Sequence, residues 1–194
     1  MKPSIIPENI KGKSLDLQHD IICESENVAI EVFYKAARRL LQPEGWHKLA
    51  GDLSADFHCN RKGKILQRGD IIAIDLPAPG LPSDNGYDWV MVDKIERNID
   101  KSADDSIAIT LKVCVNPEKP EEGIAHFLGE GASSTFIIHR KASLVSATYH
   151  GRNETPNNKH TGIVSKIRNN VIAMGAFAGL SELQWTQLLK GLLS

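Results

Sequence analysis

The strongest constraint on this chain is the pattern between residues 53 and 150. The segments "LSADFHC" (53–59), "DIIAIDL" (70–76), "DWVMVDKIER" (88–97), "SIAITLKVCV" (106–115), "IAHFL" (124–128), "STFIIHR" (134–140) and "SLVSATYH" (143–150) are rich in β-branched and aromatic residues. Side chains of that kind suit a pleated, half-buried surface. Short turn-forming stretches such as "NRKGK" separate most of them, so neighbouring strands are expected to pair antiparallel as hairpins. The exception is "LPAPGLPSDNGY" (76–87), where three prolines and two glycines predict a long, stiffened loop of the kind that often carries function.

Helical signals flank this region. "LDLQHDII" (15–22) alternates like a strand, and Ser25 is then placed to cap a helix with Glu26 in its first turn. Ala29, Phe33, Ala36, Ala37 and Leu40 recur at helical spacing, Lys35, Arg38 and Arg39 suit the C-terminal end, and Pro43 stops the run. The pattern predicts a helix over 26–41 and a short turn or helical stub over 43–51. Near the end of the chain Thr161 is a cap candidate, and Ile163, Ile167, Val171, Met174 and Ala178 mark one face of a long helix. Ile167 and Val171 are expected to face the sheet. Gly179 is placed to end that helix in the left-handed conformation. Ser181 and Gln184 have capping-box spacing for one more helix, with Trp185, Leu188, Leu189 and Leu192 on its apolar face. Residues 1–13 lack periodicity and read as an N-terminal arm. No repeat, low-complexity tract or linker divides the chain, so residues 1–194 read as a single domain.

A single sheet with one apolar face needs a partner layer, and the C-terminal helix is the natural one. The fold class is therefore α+β: an antiparallel sheet of about seven strands packed on a long C-terminal helix. A chain of 194 residues buries roughly 70% of its unfolded surface and needs no disulfide or metal to fold.

The composition narrows the partners. The formal net charge is −1 with both signs well mixed, which lacks the basic stripe that a phosphate backbone requires, so no nucleic acid is expected. No run of about 18 apolar residues exists, so no membrane span is expected. The N-terminus "MKPSIIPENIKGKSLDL" has prolines at 3 and 7 and no continuous apolar core, unlike a signal peptide. Cys23, Cys59 and Cys114 are widely spaced and form no CxxC pair. They read as reduced thiols in a cytoplasmic protein.

Motifs for phosphate, metal and nucleophile chemistry fail for physical reasons. "GEGASS" (129–134) lies between strands, whereas a phosphate-binding glycine loop must open a helix. "GKS" (12–14) copies the tail of a phosphate loop, but Pro7 stands where its first glycine belongs. There is no GxSxG and no HExxH. Asn153-Glu154-Thr155 is a formal glycosylation sequon, not expected to be used without a signal peptide. The seven histidines include no pair at i, i+2 or i, i+4 spacing. A metal needs three or four converging ligands, and only His139 and His150 are candidates to meet, across the 134–140/143–150 hairpin. No metal and no cofactor are expected.

The most concentrated chemistry is "YHGRNETPN" (149–157). One reading is a polar turn, with Gly151 breaking the strand, Pro156 fixing the exit, and Asn153 or Glu154 making turn hydrogen bonds. The other places His150, Arg152, Asn153 and Glu154 at a cavity mouth, with the planar donors of Arg152 on an anionic group. Arg152 and Glu154 share a face only if extended structure continues past Gly151. Trp46 and Trp89 are either core anchors or ligand platforms, and Trp89 faces away from Asp88 if both lie in a true strand.

The order of elements resembles the helix-grip fold of the START and Bet v 1-like superfamily over most of the chain. That resemblance implies a curved sheet wrapping a long C-terminal helix, with a ligand cavity between them. It brings no catalytic residues, and the 76–87 loop is longer than the superfamily's usual hairpin turn. The blocks "WHKLAG", "GYDWV" and "HGRNETPN" are also similar to those of an uncharacterised bacterial protein family, a likeness that carries no activity.

Three functions fit these features: a cytoplasmic binder of a small, largely apolar ligand with a polar or anionic head, an enzyme using the same cavity with His150 or Glu154 as acid/base, and a protein-interaction module whose cavity is filled by its own side chains. A last helix wider than the sheet can cover would add a homodimer contact. Thiol titration of denatured, unreduced protein is expected to count all three cysteines, and a count of one would contradict the reduced, cytoplasmic reading.

Overall fold

The computed structural model describes residues 5–51, 54–75, 87–99, 104–157 and 171–194, with only the backbone described over 171–180. Seven strands form one antiparallel sheet: β1 (Lys13–Ile22), β2 (Asp56–Cys59), β3 (Ile71–Asp75), β4 (Tyr87–Asn98), β5 (Asp104–Val113), β6 (Ser133–Lys141) and β7 (Leu144–Glu154). Three α-helices accompany them: α1 (Glu26–Leu40), α2 (Trp46–Ala50) and α3 (Val171–Leu193). The spatial order is β1-β7-β6-β5-β4-β3-β2. Strands β2 to β7 follow one another as a meander, and the first strand joins the last.

This order places β1 and β2, consecutive in sequence, at opposite edges of the sheet. The connection between them must cross a face, and α1 and α2 make that crossing. The helix α1 begins where Ser25 Oγ accepts the Val28 N–H (3.3 Å), and it buries Ala29, Phe33, Ala36, Ala37 and Leu40. That is the stripe the sequence predicted. The side of the sheet that α1, α2 and α3 cover is termed the concave face, and its opposite the convex face.

Alternation assigns each strand residue to a face. Ile72 and Ile74, Val90 and Val92, Ile107, Ile109 and Leu111, Phe136 and Ile138, and Val145, Ala147 and Tyr149 point into the core. Trp46 sits fully buried among them, with its ring centroid 5.1 Å from those of both Phe57 and Phe136. Its indole N–H donates to the Arg39 carbonyl (3.1 Å), so the polar handle of a large buried aromatic is satisfied. Trp46 is thus a core anchor.

The helix-grip arrangement expected from the element order is therefore present: an α+β fold with an antiparallel sheet and a C-terminal helix against it. Four details differ from the expectations. The segment 124–128 is not a strand; it makes isolated bridges between Val115 and Ile124 and between Leu128 and Pro156. Its backbone donors go elsewhere: Phe127 N–H to Asp88 Oδ1 and Leu128 N–H to His126 Nδ1, both 2.9 Å. Six strands, not seven, follow the first helix as a result. Gly179 does not end the helix, because α3 runs unbroken from Val171 to Leu193. Gln184 does not close a capping box; its Oε1 accepts the Ala55 N–H (3.1 Å). Strand β7 does not stop at Gly151 but runs to Glu154.

Leu188, Leu189 and Leu192 of α3 are buried, as expected. Thr161, Ile163 and Ile167 lie outside the described residues, as do the side chains of Val171, Met174 and Ala178. Among the described residues no helix is long and apolar enough to cross a membrane.

The last turn of α3 meets α2 at Gly191, where an added Cβ would overlap the Leu49 carbonyl group. Alanine normally favours a helix over glycine by about 1 kcal/mol. Gly191→Ala is nonetheless expected to lower the unfolding free energy by about 1–3 kcal/mol through the forced separation of two backbones. Urea denaturation decides it, since a gain in stability would show that α2 and α3 are not in this contact.

Candidate functional site

The "YHGRNETPN" stretch is divided between the two faces of the sheet. Strand β7 pairs with β1 from Leu144 to Gly151, where Leu15 stands opposite Gly151 and Lys13 opposite Glu154. Two residues of β7, Arg152 and Asn153, therefore face one residue of β1, Ser14. This is a β-bulge, and a bulge re-aims the side chain that follows it. Asn153 adopts φ 58°, a left-handed conformation that asparagine tolerates better than most residues. Regular alternation would put Glu154 on the convex face with His150 and Arg152. The extra residue turns it onto the concave face, where its carboxylate lies over Gly151, the space that a side chain there would fill.

On the convex face Asp16 of β1 joins His150 and Arg152. His150 Nδ1–H donates to Asp16 Oδ1 (2.5 Å), and Arg152 Nη2–H donates to the same oxygen (2.6 Å). The Arg152 guanidinium above all, with His150, holds the Asp16 carboxyl below its ordinary value. Arg152 Nη1 also donates to the Gly151 carbonyl (2.7 Å). In the neutral ring, His150 Nε2 accepts from Thr148 Oγ1 (3.0 Å). The group thus forms a tie between β1 and β7. His139 does not meet His150: it stands opposite Ser146 in the ladder, while His150 stands opposite Thr135. Among the described residues no three His, Cys, Asp or Glu side chains converge as metal ligands.

On the concave face the Glu154 carboxyl and the Tyr149 hydroxyl both border the space over Gly151, and burial pushes the carboxyl above its ordinary value against the pull of Lys13 and Arg152. Tyr149 is itself buried, which pushes its hydroxyl up. That hydroxyl lies 3.1 Å from Ser134 Oγ, and the ring stacks on Trp185 of α3 at 5.2 Å and 18°. Carboxyl, phenol, serine hydroxyl and indole thus meet on an apolar surface at one end of the sheet.

Asp88 stands on the concave face at the same end, opposite Ile74 in the β3–β4 ladder. It is three strand spacings from β7, roughly 14 Å. It is 2% exposed; Oδ1 accepts the Phe127 N–H, and Oδ2 has no partner among the described residues. Burial pushes its carboxyl up to about 7. Nearby, the buried His126 is pushed down to about 3 by desolvation. Asn157 fixes this segment by donating to the carbonyls of Ile124 (2.9 Å) and His126 (3.0 Å).

The six residues singled out from sequence are distributed as follows. Trp46 lies in the core and Glu154 on the concave face. His150, Arg152 and Trp89 lie on the convex face. Asn153 forms the bulge and holds the N-terminal arm. Trp89 does face away from Asp88, as a true strand requires. Sequence reasoning missed Tyr149, Ser134, Trp185, Asp88 and His126. Tyr149 and Asp88 were readable in part, since they share the parity of Val145 and Ala147 and of Val90 and Val92 respectively. The cysteines are free, and burial raises the thiols of Cys59 and Cys114, the latter to about 11; both are poor nucleophiles there. A surface pocket of about 270 Å³, lined by residues 42–45 with Cys59, Gly63 and Lys64, contains none of the six.

No protein-family profile matches the chain, and no curated protein does. Solved structures do. A hypothetical protein from Helicobacter pylori is 12% identical, with 93% of this chain and 88% of that chain covered and a TM-score of 0.53. At this identity the likeness shows a shared fold. Major latex-like protein 151 from Panax ginseng (12% identity, 84% and 98% covered, TM-score 0.36) and norcoclaurine synthase from Thalictrum flavum (8%, 92% and 95%, 0.35) also match, at scores that carry no argument.

The two buried titrating groups have opposite effects on stability. Asp88 keeps a proton in the folded chain up to about 7 that the unfolded chain releases near 3.8. Its contribution to stability therefore falls as pH rises between those values. His126 stays neutral in the folded chain down to about 3, whereas the unfolded chain takes a proton below 6.5. Its contribution rises with pH over that window. Each amounts to about 1.4 kcal/mol per pH unit, so the two offset each other between about pH 4 and 6.5. Asp88→Asn is expected to make the slope of unfolding free energy against pH more positive by that amount, and His126→Gln to make it more negative. Urea titrations at several pH values measure both, and unchanged slopes would mean the two groups titrate normally.

Proposed function

We propose that this protein binds a small, largely apolar molecule with a polar head, held on the concave face where Glu154, Tyr149, Ser134 and Trp185 meet, and that it works in the reducing interior of the cell. The observation that carries this reading is the bulge at Arg152–Asn153, which brings a carboxyl onto an apolar, aromatic surface. Burying a carboxyl is unfavourable unless it is hydrogen-bonded, so its placement there suits a role in recognition. Polar groups converging on an apolar surface are the usual layout of a small-molecule site. The free thiols support a reducing compartment.

The acceptors on this face favour a head group that donates hydrogen bonds. An anionic head on Arg152 has less support, because that guanidinium is engaged by Asp16 and the Gly151 carbonyl on the other face. An enzyme pairing His150 with Glu154 also has less support, because the sheet stands between them. The second reading is a protein-interaction module. It is favoured by the filled middle of the concave face, where Trp46, Phe57 and Phe136 pack together.

Native mass spectrometry of protein purified from its own host is expected to show a bound small molecule. Independently, titration with decylamine, followed at the Trp185 indole by NMR, is expected to produce saturable shifts that decanoate does not. Glu154→Gln is expected to weaken decylamine binding roughly tenfold or more, the effect of losing a charge-assisted hydrogen bond. Preference for decanoate, or no response at Trp185 to either probe, would defeat this reading in favour of the filled module.

A further inference from the structure

The arm anticipated over residues 1–13 is, from residue 5, a strap across the convex face. Thr110 and Thr135, which pair on that face of β5 and β6, are fully buried beneath it. Thr110 Oγ1 bonds both to the Ile5 carbonyl (3.2 Å) and to Thr135 Oγ1 (3.1 Å). The other end of the strap is fastened almost wholly to Asn153. The Asn153 side-chain oxygen accepts the N–H groups of Ile10 (2.8 Å) and Lys11 (3.2 Å). Its Nδ2 donates to the Glu8 carbonyl (3.0 Å), and its backbone N–H donates to Asn9 Oδ1 (2.7 Å). Gly12 follows at φ 68°, so close to Glu154 that an added Cβ would overlap the Glu154 carbonyl.

From this geometry we infer that the N-terminal strap, acting through Asn153, determines on which face of the sheet Glu154 stands, and so controls the site proposed above. The left-handed turn at Asn153 is the step that inserts the extra residue into β7. It is disfavoured for any residue bearing a side chain, and the four hydrogen bonds to the strap oppose that tendency. With the strap released, β7 can return to regular alternation. Glu154 then rejoins the side of His150 and Arg152, and the concave face loses its carboxyl. Strands slip in steps of one residue, and each step exchanges the faces. The strap lies on one face and the carboxyl on the other, so strap release and ligand binding are linked reciprocally: whatever favours one disfavours the other.

Asn153 is accordingly a positioning residue, and its test needs no ligand. It therefore stands or falls separately from the binding reading on which its functional meaning rests. Glu154 is followed by carboxyl ¹³C NMR in the free protein, its signal assigned by its loss in Glu154→Gln, while amide exchange reports the strap. In the wild type the Glu154 midpoint should lie above the ordinary carboxylate range, because the group is buried beside Tyr149, with Lys13 and Arg152 opposing. Asn153→Gly tolerates the same φ but loses the three side-chain hydrogen bonds to the strap, keeping only its backbone N–H bond to Asn9. It is expected to speed exchange at Ile10 and Lys11 roughly tenfold or more, the effect of losing their acceptor, and to return the Glu154 midpoint to the ordinary range. Asn9→Ala, which removes one tie from the strap side and leaves β7 unaltered, should move both readouts in the same direction by less. Fast strap exchange with an unmoved Glu154 midpoint, in either variant, would overturn the inference. So would a strap that stays protected in Asn153→Gly.

Discussion

The pairing of β1 with β7 is the constraint on which the rest depends. It joins the start of the described chain to its last strand over nine registered positions from Lys13–Glu154 to Ile22–Leu144. With β1 at one edge and β2 at the other, the intervening chain has no route except across the sheet. The two helices laid down by that crossing form the floor against which α3 packs. Arg39 of α1 donates to the carbonyls of Gly191 (2.9 Å) and Leu192 (3.1 Å), satisfying groups that the end of a helix leaves unpaired. Trp46 of α2 fills the space under Phe136. One long-range pairing thus decides which face becomes the core.

The same pairing creates the chemistry. Without a partner strand there is no register, and without a register no bulge. The single extra residue in β7 separates two polar groupings that are adjacent in sequence. His150 and Arg152 tie the edge strand through Asp16, a role in which exposed charge costs little. Glu154 goes to the apolar side, where the same type of group resists ionisation. The carboxyls of Asp16 and Glu154, on opposite faces, are shifted in opposite directions because a sheet lies between them.

Buried polar groups mark both ends of the concave face, and they differ in whether a side-chain charge partner holds them. At one end Arg140 donates to Asp105 through Nε (3.0 Å) and Nη2 (2.5 Å), with both residues under 4% exposed. Such a pair is costly to break from one side, and it fixes the register of β5 on β6 more than it adds to stability. At the other end Asp88 Oδ1 accepts the Phe127 N–H, and its Oδ2, like Asp105 Oδ1, has no partner among the described residues.

The sequence determined the elements. The β-branched segments formed strands within a few residues of their expected bounds, the stripe from Ala29 to Leu40 formed its helix, and Leu188, Leu189 and Leu192 were buried as their spacing required. These features follow from local periodicity, which a side-chain pattern encodes directly. The segment 124–128 misled because its apolar residues imitate a strand, while its N–H groups bond to Asp88 and His126, partners that no local pattern reveals. The assignment of His150, Arg152 and Glu154 to one site could not be settled from sequence either. Alternation gives relative facing only while the register is unbroken, and a bulge depends on hydrogen bonds from residues 8–11, more than 140 positions away. The sequence therefore determined the local elements and drew attention to the polar stretch 149–157, and the tertiary structure decided which residues share a face and which buried groups join them, because facing is a property of strand pairing and strand pairing is long-range.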